Sequence, residues 1–185
     1  SVAYGTLSAR GAFLYTEDGI NWTKLPSYTN VTSRRQDAFF AFNNKLWSIG
    51  GFRNYISTTN TNGQASIYSS SDGGVTWVLE ADDAGIGKMW GITPVCGTNA
   101  VYLIGGEYID NGKRVLSDKI YRSTDCIHWE AIKTGSKYTA RRCPQVVVKG
   151  QFAYIFGGYT TVSTANYGYD LKSAPAFDTY LLELK

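Results

Sequence analysis

The sequence has no apolar run of membrane length. Its longest apolar stretches, such as Ala38–Phe42 and Ala100–Ile104, are strand-sized, whereas a membrane helix needs about 18 or more apolar residues. No membrane insertion is expected. Charge of one sign is also scarce. Lys and Arg number 18 against 15 Asp and Glu, a formal charge of +3, and so mild a balance gives no reason to expect nucleic acid without a clustered basic patch. One His and three Cys without C-x-x-C spacing are too few to hold zinc. No stretch longer than a strand has helical periodicity, so no Gly-rich phosphate loop opens a helix. Neither a metal nor a cofactor is expected. An initiator Met and a charged-then-apolar leader are missing too, since the chain opens Ser1-Val2-Ala3. The expectation is a chain cut from something longer.

What is present is a folded composition. The apolar share is 43% and the charged share 18% of 185 residues, which fits one domain with a core. Fourteen Tyr, 5 Trp, 8 Phe and 20 Gly point to many short strands joined by tight turns. The chain also repeats itself. A Gly-Gly pair ends an apolar run three times, at Gly50-Gly51, Gly105-Gly106 and Gly157-Gly158, with first glycines 55 and then 52 residues apart. An independent marker recurs at the same intervals: Asp18 with Trp22, Asp72 with Trp77, and Asp125 with Trp129. A period near 50 points to propeller-type arrays.

Each period reads as four strands. Ala38–Phe42, Gly91–Cys96 and Gln145–Val148 precede the Gly-Gly runs, and Asn43-Asn44, Gly97-Thr98-Asn99 and Lys149-Gly150 are the tight turns between. The third strand is Ser66–Ser69 or Lys119–Arg122, and the fourth Trp77–Glu80 or Trp129–Ile132. The order of Arg, apolar strand, turn, Gly-Gly, Tyr and Trp resembles the kelch repeat. Segments 70–77, 16–22 and 123–129 are similar to Asp-boxes, the turns also found in sialidase propellers, although Cys126 stands where Gly is usual. The resemblance implies an all-β fold: a β-propeller of four-stranded antiparallel blades, with about three to four blades in this chain. The expected division is a partial blade over 1–30, blades over 31–80 and 85–133, and an incomplete blade over 140–185. Two strands at the start and three at the end leave two open sheet edges, so the chain is expected to be part of a larger propeller, or to be completed by other chains.

The three aspartates suit tight turns in which a carboxylate accepts backbone N–H groups. With each tryptophan they read as structural staples rather than catalytic groups. The sialidase likeness implies an enzyme alternative, a glycan hydrolase in which Arg34, Arg35, Arg53, Arg141 and Arg142 converge and Glu107-Tyr108 supply an acid and a Tyr. Kelch-type oxidases hold copper with two His and two Tyr, and one His, His128, argues against such a site. Three Cys with no well-placed pair are expected as free thiols. Asn21-Trp22-Thr23 and Asn30-Val31-Thr32 match the glycosylation sequon, and the expected location is extracellular, or at a cell or virion surface.

The functional lead is the variable loops. Segments 52–65, 107–117 and 159–177, with 24–35, 81–90 and 133–142, are expected on one face. Their Arg34, Arg35, Arg53, Lys88, Trp90, Tyr108, Arg141, Arg142 and Tyr159 have the composition of binding hot spots. Arg34 and Arg35 match Arg141 and Arg142 in the repeat, whereas the middle repeat carries Met89-Trp90. The expected function is a non-catalytic binding module for a protein or glycan ligand, with Arg forking carboxylates. The alternatives are the hydrolase and a structural assembly or virion-surface element that forms homo-oligomers. The binding reading expects Arg142→Ala or Trp90→Ala to abolish capture with little change in melting temperature.

Overall fold

A computed structural model of the chain describes residues 2–3, 12–24, 31, 34–53, 63–132, 138–162 and 174–184. Among them the fold is all-β, with no helix and therefore none long and apolar enough to cross a membrane. An N-terminal sheet joins β1 (Val2–Ala3), β2 (Ala12–Tyr15) and β3 (Thr23–Lys24) in chain order. A four-stranded sheet follows, β4 (Ala38–Phe42), β5 (Lys45–Ile49), β6 (Ile67–Ser70) and β7 (Val78–Ala81), again in chain order. The next holds β8 (Thr93–Cys96) and β9 (Val101–Ile104). A separate hairpin, β10 (Glu107–Asp110) with β11 (Lys113–Leu116), intervenes before β12 (Ile120–Ser123) and β13 (Glu130–Ile132) complete that sheet. The last holds β14 (Gln145–Lys149), β15 (Phe152–Phe156) and β16 (Thr179–Glu183). All pairings are antiparallel.

Two expectations need correction. The N-terminal sheet has three strands among the described residues, not two, because Val2–Ala3 pairs with Phe13 and Ala12. Most of segment 107–117 is a hairpin rather than a loop, with Glu107 opposite Leu116 and Asp110 opposite Lys113. Asn111-Gly112 turns it with both φ angles positive, the geometry that two-residue hairpin loops favour. Asn43-Asn44 does the same between β4 and β5.

Alternation along the strands builds two cores. On one face of the β4–β7 sheet, Ala38, Phe40 and Phe42 join Trp47, Ile49 and Ile67, and these pack on Val101, Leu103 and Tyr121 of the next sheet. The opposite face of that sheet, with Val95, Tyr102, Ile104 and Ile120, packs on Ala153 and Ile155 of the last. Each fully buried Val, Leu, Ile or Phe side chain contributes about 1.5–3 kcal/mol.

The Gly-Gly signature has its cause in this stacking. A Cβ on Gly50 would lie 2.6 Å from the Met89 carbonyl oxygen, and one on Gly105 would strike the Arg141 carbonyl in the same way. The second glycines then donate to those carbonyls, Gly51 to Met89 at 2.7 Å and Gly106 to Arg141 at 2.8 Å. Adjacent sheets therefore meet backbone to backbone where no side chain fits.

The Asp-to-Trp turns are closed by their carboxylates. Asp72 Oδ1 accepts the Val75 and Thr76 amides, and Thr76 Oγ1 donates to Oδ2 at 2.6 Å. Asp18 accepts from Ile20 and Asn21, and Asp125 from Ile127 and His128. Asn21 Nδ2 donates to Asp18 at 2.6 Å, so this sequon's amide nitrogen is engaged, while Asn30 lies outside the described residues. Trp77 and Trp129 donate their indole N–H to Gly74 and Cys126 carbonyls of their own turns. Cys126 takes a positive φ of +65°, as Gly73 and Gly74 do at +76° and +95°. All three cysteines are free, and burial pushes the Cys126 thiol up to about 12.

Hydrogen bonds from the Thr76 side chain, then its amide, hold the Asp72 carboxyl down at about 2. An ordinary aspartate titrates near ~3.9, so these bonds stabilise the fold fully above that value and less as pH falls through about 2. Asp72→Ala is expected to lower the melting temperature at pH 7, and the gap to the parent chain is expected to narrow as the pH approaches about 2. Thermal melts of both chains across that range check this, and a gap independent of pH would contradict it.

Candidate functional site

Just ahead of the first strand of each repeat, one residue pairs with the residue that follows Gly-Gly. Arg35 bridges Phe52, Trp90 bridges Glu107 and Arg142 bridges Tyr159, each antiparallel. The next residues link the three sheets. Gly91 N–H donates to the Gln36 carbonyl at 2.8 Å, and Cys143 N–H to the Gly91 carbonyl at 2.7 Å. Gln36, Gly91 and Cys143 all have positive φ. The β4, β8 and β14 ends are thus laced together, and side chains from all three repeats meet there.

At this junction Arg142 and Glu107 form an ion pair, Nε to Oε2 at 3.3 Å, with side-chain exposures of 2% and 0%. The Arg142 guanidinium lies 4.5 Å from the Tyr159 ring centre, and its Nε also reaches the Thr161 carbonyl at 3.5 Å. Burial pushes the neighbouring Cys143 thiol up. Trp90 is buried edge-on to Phe52, with ring centres 6.2 Å apart. Its indole Nε1 has no hydrogen-bond partner among the described residues, and neither has the buried Gln36 Oε1.

Arg34 and Arg141 do a different job. Arg34 Nη1 donates to the Gly50 and Ser66 carbonyls, and its guanidinium sits 4.9 Å from the Tyr68 ring. Arg141 Nη1 donates to the Gly157 carbonyl, and its Nη2 pairs with Asp178 at 2.6 Å between the Tyr138 and Tyr180 rings. Both arginines bind the first Gly carbonyl of their own repeat.

The nine residues picked out in the sequence therefore separate. Arg35, Trp90, Arg142 and Tyr159 come together at the junction. Arg53 and Lys88 are exposed nearby in sequence, and Tyr108 packs from β10 against the first core. The expectation that Trp90 and Arg142 could be truncated with little loss of stability is corrected, because both side chains are buried and that of Arg142 is also ion-paired, as is Arg141. Segments 54–62, 133–137 and 163–173 of the loop face lie outside the described residues. Glu107, Phe52 and Gln36 were not among the nine. The position after Gly-Gly was the signal, since it holds aromatics in two repeats and a carboxylate in the third. Among the described residues no three His, Cys, Asp or Glu side chains gather as a metal site.

No family model matches the chain, and no curated protein does. A solved structure of YjhT superposes with a TM-score of 0.64 at 15% identity, over 82% of this chain and 52% of that one. The fold is similar to that of YjhT. The chain spans about half the length of the YjhT chain, and at this identity the likeness carries the fold alone.

Arg142→Ala is expected to destabilise the chain by about 3–5 kcal/mol, because it removes one partner of a buried ion pair. Replacing both partners, Arg142→Met with Glu107→Leu, is expected to recover most of that loss. Urea unfolding of the two variants checks this. A single variant within about 1 kcal/mol of the parent chain would contradict the buried pair.

Proposed function

We propose that the chain is a non-catalytic binding module of the kelch and Asp-box β-propeller type. Its ligand is a carboxylate-bearing glycan or an acidic peptide, held at the junction of the three repeats. The observation that carries this reading is the Trp90 indole N–H, buried without an acceptor among the described residues in the repeat that departs from the Arg pattern. Buried donors are nearly always satisfied, so an acceptor on a ligand completes the junction. Half-buried Arg35 and exposed Arg53 supply forked donors for a carboxylate. Tyr159, already stacked on Arg142, offers its exposed side to an apolar or sugar face. Glu107 keeps Arg142 in place, as a positioning residue. An extracellular or surface location accords with such a ligand.

The test is an array of acidic glycans and acidic peptides, probed with the 185-residue chain. Trp90→Phe keeps the ring packing and removes the donor. It is expected to weaken capture by about tenfold, roughly one hydrogen bond, with a nearly unchanged melting temperature. Arg53→Ala is expected to weaken capture as well. Equal capture by Trp90→Phe, or none by the parent chain, would overturn the reading. Turnover of a fluorogenic glycoside would replace it with the hydrolase alternative.

A further inference from the structure

The Trp90 indole is 1% exposed, yet its N–H has no acceptor among the described residues. Two apolar side chains complete its cluster. Phe52 meets it edge-on, and half-buried Ile109 packs against the pair. Ile109 belongs to β10, whose strand partner is β11 alone. A two-stranded hairpin is marginally stable by itself in water, so this one depends on what its side chains touch. Tyr108 packs on the first core and Ile109 on the Phe52–Trp90 pair, while the tip over 110–113 is exposed.

The base of the hairpin is tied down more firmly. Trp90 and Glu107 exchange backbone hydrogen bonds at 3.0 and 2.8 Å, and Ser117 N–H donates to the Gly106 carbonyl at 2.9 Å. Glu107 is also buried in its pair with Arg142. Between these fixed ends, residues 108–116 carry the hairpin ladder and the Tyr108 and Ile109 contacts. Segments with few buried apolar contacts open at lower cost than a core does.

We propose, on the binding reading above, that the β10–β11 hairpin is a lid over the Trp90 indole. Closed, it rests Ile109 on Phe52 and Trp90. Open, it lifts Ile109 away and admits the acceptor that the indole N–H lacks among the described residues. Glu107 and Ser117 stay in place as the base on which it turns. Apparent affinity scales with the fraction of chains in the open, competent state, so the hairpin sets how readily the site fills.

The experiment compares the parent chain with Ile109→Ala by two readouts. The first is exchange of the Trp90 indole N–H with solvent, followed by NMR of tryptophan-labelled chain, its signal assigned by its loss in Trp90→Phe. Ile109→Ala is expected to speed that exchange by about tenfold. The Trp47 and Trp77 indoles, bonded to the Phe42 and Gly74 carbonyls, are expected to exchange as before. The second readout is the association rate with a polyglutamate peptide and with a polygalacturonate oligomer, expected to rise for whichever is captured. Unchanged Trp90 exchange, an equal rise at Trp47 and Trp77, or faster exchange with an unchanged association rate would overturn the lid. Where neither probe is captured, the binding reading fails, and the exchange rates alone still decide whether the hairpin opens over Trp90.

Discussion

The structure depends on one close approach: a backbone carbonyl of each sheet occupies the space where a side chain on the preceding sheet would begin. Met89 does this at Gly50 and Arg141 at Gly105. Because the gap admits no Cβ, the neighbouring glycine amides reach the same carbonyls as hydrogen-bond donors. The apolar faces on either side then pack against each other, as a dense interior requires. Sheet spacing, core burial and the junction of the repeats all follow from that contact.

The arginines divide according to their distance from the contact. Arg34 and Arg141 hold the carbonyl of the first glycine within their own repeats and spread over Tyr68 and over Tyr138 with Tyr180. They brace the Gly-Gly corner. Arg142 lies one residue further on and reaches across a seam to Glu107 of the preceding repeat. Breaking the repeat at Met89-Trp90 puts a thioether against Gly106 and an indole into the junction. One repeated frame thus carries an asymmetric centre.

Much of the frame was legible in the sequence. The Gly-Gly spacing located β5, β9 and β15, and the Asp-to-Trp spacing located the turns ahead of β3, β7 and β13. Both signals are backbone constraints, positive φ or amide-accepting carboxylates, which only a few residue types satisfy. The β10–β11 hairpin was missed because the variable segment inside a repeat, between its second and third strands, carries no periodic marker. The burial of Arg141, Arg142 and Trp90 was missed for another reason. Arg with Tyr and Trp is the composition of a binding hot spot and equally that of a satisfied interior corner, and only packing between sheets distinguishes them. Glu107 followed Gly-Gly in plain view, but its partner lay 35 positions away in the next repeat.

The most direct measurement compares Gly105→Ala with Gly73→Ala by urea unfolding. Both glycines have positive φ, at +67° and +76°, but only Gly105 faces a neighbouring carbonyl, while Gly73 has open space. A left-handed alanine costs about 1–2 kcal/mol at either position. If the carbonyl contact sets the fold, Gly105→Ala loses well beyond that amount and Gly73→Ala does not. Equal losses at the two positions would contradict the claim.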